Sequence, residues 1–394
     1  MPEPVKYGRL NPPERTLLGP DLSNASPRAH EGLTAILEGA NDPSFLKVLD
    51  EALALLRHLW DTRSADTFII PGSEETVLEA ALMNILEPGD TAVIGVAGFF
   101  GERMAQAAER IGAKVQRLVA ESGKAVSDEA FEEAIKRYQP RLVAVLHGEG
   151  STGVEQPIKN LARIAHAGNA LLLVDTRWTI SALECSVDAL EIDVCIAGSQ
   201  KAISAYPGLG LISFSERAAQ AYAARKTPVL SWSLDLGNLR LYRTDERAAQ
   251  TYPAPILYAL TELLQLVYEQ GMAYRIRRMI NRRDAIVAGL DVLGLQVYAD
   301  PSCRLSTVTA VVVPEGIDQD QVRKTLLNPY RIDIGGGLGD LRGKLWRIGV
   351  LGHSAQPTFL LSLIHLLEII LHERGYPVQT PGKAGEILLA HLEP

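Results

Sequence analysis

Lys201 lies in the run Ala197-Gly198-Ser199-Gln200-Lys201-Ala202, and Asp175 closes the run Leu171-Leu172-Leu173-Val174-Asp175. A lysine framed by small residues, just after a short apolar stretch, is placed to condense with an aldehyde. An aspartate at the carboxyl end of a buried strand is placed to pair with a protonated ring nitrogen. An amine for an aldehyde and a carboxylate for a pyridinium are the two groups that pyridoxal 5'-phosphate (PLP) asks of a protein. Each residue also has a plainer reading: a lysine is usually a surface residue, and an aspartate ending a strand can cap the next turn. In open α/β sheets, however, ligands bind at the carboxyl ends of strands. Lys201 follows a second apolar run, so both residues can share one sheet edge.

Two further groups could serve the same chemistry. Gly72-Ser73-Glu74-Glu75-Thr76 stands between a strand pattern and a helix pattern. A glycine turn that opens a helix presents free N–H groups and the positive end of the helix dipole, which suits a phosphate. Ser73 or Thr76 could equally be an ordinary N-cap. Glu74 and Glu75 are awkward beside a phosphate; they must point away, be protonated, or contact the substrate. Arg347, in Trp346-Arg347-Ile348-Gly349, sits inside an apolar strand pattern. Such an arginine either pairs with a structural acid or awaits an anion, and its fork matches an amino-acid carboxylate.

These residues need a scaffold, and the bulk properties describe one. A chain of 394 residues exceeds what one core usually supports, so two domains are expected. Nearly half the residues are apolar and 22% are charged, as in ordinary globular proteins. A net charge of −8 argues against a nucleic-acid or membrane-surface partner. The arginines around 275–283 read as a solvated helix face. Cys185, Cys195 and Cys303 show neither metal-ligand nor disulfide spacing, so no metal is expected. The amino terminus lacks an apolar signal core, and no apolar run reaches membrane-spanning length, so a cytoplasmic protein is expected.

Helical spacing from 42 to 60 is followed by alternating strand and helix patterns, with strands at 67–70, 91–96, 115–118, 142–147, 170–174, 193–197 and 208–214. Short continuous apolar strands between helices predict an α/β domain with a mostly parallel sheet covered on both faces. The expected organisation is an extended arm over 1–20, a large domain over 21–255, a linking helix over 256–292 and a smaller α+β domain over 293–394.

The constellations, in this order, resemble the class V aminotransferases of PLP fold type I, in particular the alanine–glyoxylate/serine–pyruvate branch. The resemblance is carried by Leu17-Leu18-Gly19-Pro20, Leu78-Glu79-Ala80-Ala81-Leu82, Leu86-Glu87-Pro88-Gly89-Asp90, His147-Gly148-Glu149 with Ser151-Thr152-Gly153, Gly198-Ser199-Gln200-Lys201-Ala202, Pro207-Gly208, Ile212-Ser213-Phe214-Ser215 and Trp346-Arg347-Ile348-Gly349. It covers nearly the whole chain and implies a seven-stranded-type sheet. It also implies that Lys201 is the lysine that binds PLP and Asp175 the partner of the ring nitrogen. Phe100 matches the aromatic that stacks on the ring. Ser73, the N–H groups of Glu74 and Glu75, and Gln200 match the phosphate cup. Ser151 and Ser199 fall among the cofactor-binding positions. Thr251 matches a residue given to the phosphate by a second subunit, which implies a homodimer with shared sites. Arg347 would hold the substrate carboxylate.

The implied reaction is transamination between a small amino acid, such as alanine or serine, and a 2-oxo acid such as glyoxylate or pyruvate. A lyase or decarboxylase on the same fold, or an inactive PLP-binding relative, are the alternatives. A desulfurase would need a cysteine in the late glycine loop, and Gly335-Gly336-Gly337-Leu338-Gly339 has none. The chain departs from the family pattern at five places, one being Ser204-Ala205-Tyr206-Pro207-Gly208 where the family has Asn-Ala-Pro-Pro-Gly after the lysine. Asp21-Leu22 replaces a Gly-Pro in a loop that touches substrate. Glu74 and Glu75 stand in the cup, and Ala248 replaces a tyrosine. Thr176-Arg177-Trp178-Thr179 replaces Ala-Val-Ser-Ser, which puts the bulk of Trp178 near the substrate.

Overall fold

The computed structural model describes residues 8–244 and 250–392. Residues 1–7 of the expected arm, and Ala248, lie outside the described residues.

Seven strands form the main sheet: β1 (Thr67–Pro71), β2 (Thr91–Val96), β3 (Lys114–Val119), β4 (Leu142–Leu146), β5 (Leu171–Asp175), β6 (Val194–Gly198) and β7 (Leu209–Phe214). Their order across the sheet is β1-β7-β6-β5-β4-β2-β3. Only β7 runs against its neighbours, β1 and β6. The other adjacent pairs are parallel, as the apolar runs predict. Strands β4 to β7 are buried along their whole length. A strand covered on both faces has no solvent side, so its sequence need not alternate. The helices include α1 (Pro43–Leu59), α2 (Glu74–Ile85) and α3 (Phe99–Arg110). Helix α2 packs on β6 and β7, and α3 on β2 and β3.

The helical pattern over 256–292 is not one helix. It forms α4 (Ala254–Gln270) and α5 (Met272–Val292). Gly271 separates them at φ 76°, where its N–H still donates to the Val267 carbonyl at 3.0 Å. A residue with positive φ ends a helix, and glycine pays no Cβ penalty for it. The apolar periodicity runs through the break, which is why the spacing alone reads as continuous.

Beyond α5, strands β8 (Val308–Val312), β9 (Gly335–Gly336) and β10 (Leu345–Gly349) form an antiparallel sheet in the order β8-β10-β9. Helices α6 (Pro357–Glu373) and α7 (Lys383–His391) pack on α5. The expected extended arm is tied into this part of the chain. Thr16–Leu17 pairs in parallel with Ile332–Asp333, the Gly349 N–H donates to the Leu18 carbonyl at 2.7 Å, and Leu18 is fully buried. That anchor places Asp21, four residues after the pairing ends, over the carboxyl edge of the main sheet. Among the described residues no helix is long and apolar enough to cross a membrane.

Candidate active site

Asp175 is the last residue of β5 and pairs across the parallel ladder with Ile196 of β6. Lys201 follows the end of β6 by three residues. Both therefore stand at the same sheet edge, and both are buried. The Lys201 amine lies 3.3 Å from Asp21 Oδ1, 3.6 Å from Glu74 Oε1, and 5.4 Å from the centroid of the Trp178 ring.

The opening of α2 follows the capping chemistry in its sequence. Ser73 is the N-cap, its hydroxyl accepting from the Glu75 N–H at 3.2 Å. Thr76 returns the bond, accepting from the Ser73 N–H at 3.1 Å. This is a capping box with threonine at the third position. The two glutamates diverge. Glu75 is half-buried and faces Arg177 and Arg103, at 3.3 and 3.8 Å. Glu74 turns inward, is buried, and accepts a hydrogen bond from the Gln200 side-chain amide.

Arg347, on β10, reaches the same space from the other side. Its Nε donates to the Gly336 carbonyl at 2.6 Å and its Nη1 to the Gly150 carbonyl at 3.2 Å. Its Nη2 lies 3.6 Å from Asp21 Oδ2. Burial works against its charge and holds its pKa below the ordinary arginine value, with Asp21 pulling the other way. The Asp21 carboxylate thus bridges the Lys201 amine and the Arg347 guanidinium. Trp178 is fully buried; its Nε1 donates to the Pro20 carbonyl at 3.2 Å, and its ring packs at 4.5 Å, centroid to centroid, on Phe100. A Cβ at Gly150 would collide with this ring, so the glycine makes room for the tryptophan.

The remaining expected positions behave differently. The Ser151 hydroxyl donates to Glu149 Oε1 at 2.6 Å and accepts from the Phe99 N–H. The Ser199 hydroxyl donates to the Tyr206 carbonyl at 2.6 Å, which folds the loop after Lys201. Thr251 is exposed. Ser151 and Ser199 therefore shape the loops around the site.

Two residues at the site carry no role in the sequence reading. Glu149 is buried and accepts N–H groups from Phe100, Gly101 and Ser151, so it caps the start of α3 and seats Phe100. Burial raises its pKa, opposed by the bonds from Ser151 and Gly101. Arg177 is the second, and it takes hold of Asp175. Its Nε and Nη2 lie 2.8 and 2.6 Å from Asp175 Oδ2, and its backbone N–H donates to Oδ1 at 3.0 Å. Burial pushes the Asp175 carboxyl up and Arg177 pulls it back. Burial also opposes the charge on Arg177, but Asp175, then Glu74 and Glu75, outweigh it. The signal was in the chain, as a charged residue inside the otherwise apolar or hydroxylic run after a buried aspartate.

The Glu75 pair supplies a pH prediction. Burial raises the Glu75 carboxyl pKa, Arg177 lowers it, and the net result lies below the ordinary glutamate value. A carboxylate with a depressed folded pKa stabilises the folded state above the unfolded value, about 4.3, and loses that contribution as pH falls through the folded one. Glu75→Gln should therefore lower the urea midpoint at pH 7. The gap to the unsubstituted protein should close as pH falls below about 4. A gap that widens in acid would contradict the assignment.

Comparisons with known proteins identify the family. The Aminotransferase class-V profile matches residues 44–339. The (S)-ureidoglycine–glyoxylate transaminase of Bacillus subtilis (strain 168) is 34% identical, over 97% of this chain and 95% of its own length. The alanine–glyoxylate aminotransferase of Rattus norvegicus is 35% identical, over 90% of this chain and 87% of its own. The crystal structure of an alanine–glyoxylate aminotransferase from Nostoc sp. superimposes with a TM-score of 0.91 at 35% identity, covering 93% of this chain and 98% of that one. The chain belongs to the class-V aminotransferase family. Its fold is PLP fold type I, and the family and these relatives support a PLP-dependent transaminase acting between amino acids and oxo acids.

The residues present fit that cofactor in type and in place. An amine and a carboxylate stand at neighbouring strand ends, and a helix N-terminus lies beside them with Ser73 and Gln200. Gln200 Oε1 is buried with no hydrogen-bond partner among the described residues. Arg177 and Glu74 occupy the same ground with charges of their own.

Proposed function

We propose that this chain transfers the amino group of a small amino acid, such as alanine or serine, to a small 2-oxo acid such as glyoxylate or pyruvate. The observation that carries this reading is the Asp21 bridge. One carboxylate spans Lys201 Nζ and Arg347 Nη2, at 3.3 and 3.6 Å. A substrate carboxylate that takes the place of Asp21 on Arg347 brings its α-carbon beside the Lys201 amine. The names of the Bacillus subtilis and Rattus norvegicus relatives both contain glyoxylate, which makes it the first acceptor to try.

When bound, PLP supplies an electron sink for the α-carbon. The chain's own residues do the rest. Asp175 would offer a carboxylate to the ring nitrogen, Ser73, Gln200 and the first N–H groups of α2 would receive the phosphate, and Phe100 would supply the aromatic face for the ring. Arg347 orients the substrate carboxylate, and Trp178 closes the side-chain space, which favours small substrates. Lys201 Nζ takes the α-proton and returns it. The sheet edge around Lys201 is closed by Trp178 and the Pro20–Asp21 turn, which limits access of water to the amine.

A homodimer with shared sites, acting in the cytoplasm, completes the proposal. Thr251 is exposed, as a residue donated across an interface would be in one chain. Ile36, Leu37, Leu230 and Trp232 are also exposed, and exposed apolar side chains of this size are commonly covered in an assembly.

The test is a donor panel with PLP present, each donor paired with glyoxylate, pyruvate and 2-oxoglutarate. The expected result is a new amino acid formed one-for-one with the donor's oxo acid, fastest with a small donor and glyoxylate. Release of ammonia or carbon dioxide without an aminated acceptor would replace transamination with a lyase or decarboxylase reaction.

A further inference from the structure

The charges at the sheet edge alternate in sign, and all but Asp21 and Glu75 are buried. Asp175 holds Arg177, Arg177 faces Glu74 and Glu75, Glu74 faces Lys201, Lys201 faces Asp21, and Asp21 faces Arg347. Two of these groups are out of keeping with a site that receives a phosphorylated pyridine. The Arg177 guanidinium is a cation on the carboxylate that should meet the pyridinium. The Glu74 carboxylate is an anion beside the helix N-terminus and Gln200, where the phosphate should sit. Both residues are 4% exposed or less. Glu74 is admitted by Gly198: a Cβ there would stand 3.0 Å from Glu74 Oε2.

We propose that Arg177 and Glu74 are an internal stand-in for the cofactor, which PLP must displace to bind, and that they set its affinity and its dependence on the phosphate. This deepens the function proposed above and rests on its assignment of Asp175 and Lys201 to the cofactor. The argument is one of charge. A buried carboxylate needs a cation, and Asp175 has one in Arg177 whether or not a pyridinium is present. Binding therefore exchanges one cation for another at Asp175 and gains little there. At the other end a phosphate dianion approaches a buried carboxylate. Either Glu74 swings out, giving up Gln200 and Lys201, or two anions share the N-terminus of α2. Both ends weaken binding compared with a site lacking these side chains. The phosphate end penalises the phosphorylated form specifically.

The test measures binding, not turnover. Equilibrium dialysis against PLP, and separately against pyridoxal, which lacks the phosphate, is run on the unsubstituted protein, Glu74→Gln and Arg177→Met. Glu74→Gln keeps the side chain's size and its bond to Gln200, so it tests the phosphate end even if Arg177→Met folds poorly. Circular dichroism checks both. The expected result is that Glu74→Gln tightens PLP at least tenfold and pyridoxal less than threefold. Arg177→Met should tighten both ligands by similar factors. If all three proteins bind PLP with the same constant, the stand-in is wrong and the cofactor site stands. If Arg177→Met loosens PLP, Arg177 is a phosphate ligand and the proposal is overturned at that end. If no protein, including Glu74→Gln, binds either compound, both the stand-in and the assignment of Asp175 and Lys201 fall.

Discussion

Lys201→Ala should lower the turnover number by about 10³-fold, within the range general-base removal usually costs. The amine sits between two carboxylates and the Trp178 ring, and its buried place at the sheet edge gives solvent little chance to substitute for it. Removing it leaves the substrate α-proton without an acceptor at the right point. Lys201→Arg separates charge from proton transfer. Arginine keeps the cation facing Asp21 and Glu74 but stays protonated under all ordinary conditions, so it cannot take a proton. Both variants should therefore fall by similar factors in a single-turnover assay with a saturating donor. An arginine variant with near-normal turnover would show that position 201 supplies charge alone, and the proton transfer would need another residue. The unfolding midpoint of Lys201→Ala should move little, because Glu74 keeps Gln200 and Arg177 and Asp21 keeps Arg347.

Arg347→Ala should cost about a hundredfold or more in kcat/KM, equivalent to ~2.7 kcal/mol of lost transition-state stabilisation. Two of the guanidinium nitrogens are held by the Gly336 and Gly150 carbonyls, so the group is fixed before substrate arrives and little ordering remains to be done. A carboxylate meeting a preset guanidinium gains charge-assisted hydrogen bonds in a buried place. Most of the loss should appear in KM for the donor, with cofactor absorbance retained. Arg347→Lys should recover part of it, since one ammonium can supply the charge but not the fork. Asp21→Asn should act in the opposite sense and lower KM, because it removes the carboxylate that competes for Arg347. Unchanged saturation behaviour in Arg347→Ala would dismiss it as the carboxylate site and leave it a strut between Gly336 and Gly150.

Much of this site was legible in the chain. The five residues Leu171 to Asp175 cannot be a surface strand, because no polar face is present, and so the aspartate at their end must meet a sheet edge. The capping box at Ser73 follows from local hydrogen-bond chemistry alone. Helix α4 and α5 were read as one because the apolar spacing is the same on both sides of Gly271, and only the backbone angle there decides the break. The arm over 1–20 was read only as extended, with no partner named, because a two-residue parallel pairing with Ile332 and Asp333 has no local signature. Its consequence is large, since that pairing delivers Asp21 to Lys201 and Arg347.

Sequence alone determined which groups are available and which element carries each: an amine after β6, a carboxylate ending β5, a capped helix, an arginine in β10. These depend on neighbours within a few residues, where hydrogen bonding and apolar spacing act directly. Tertiary structure decided who pairs with whom. Arg177 turns to Asp175, Glu74 turns inward to Gln200 and Lys201, and Asp21 arrives from a segment more than 150 residues away from either partner. Partner choice among buried charges depends on distance and desolvation in the assembled site, and neither quantity exists until the strands and the arm have come together.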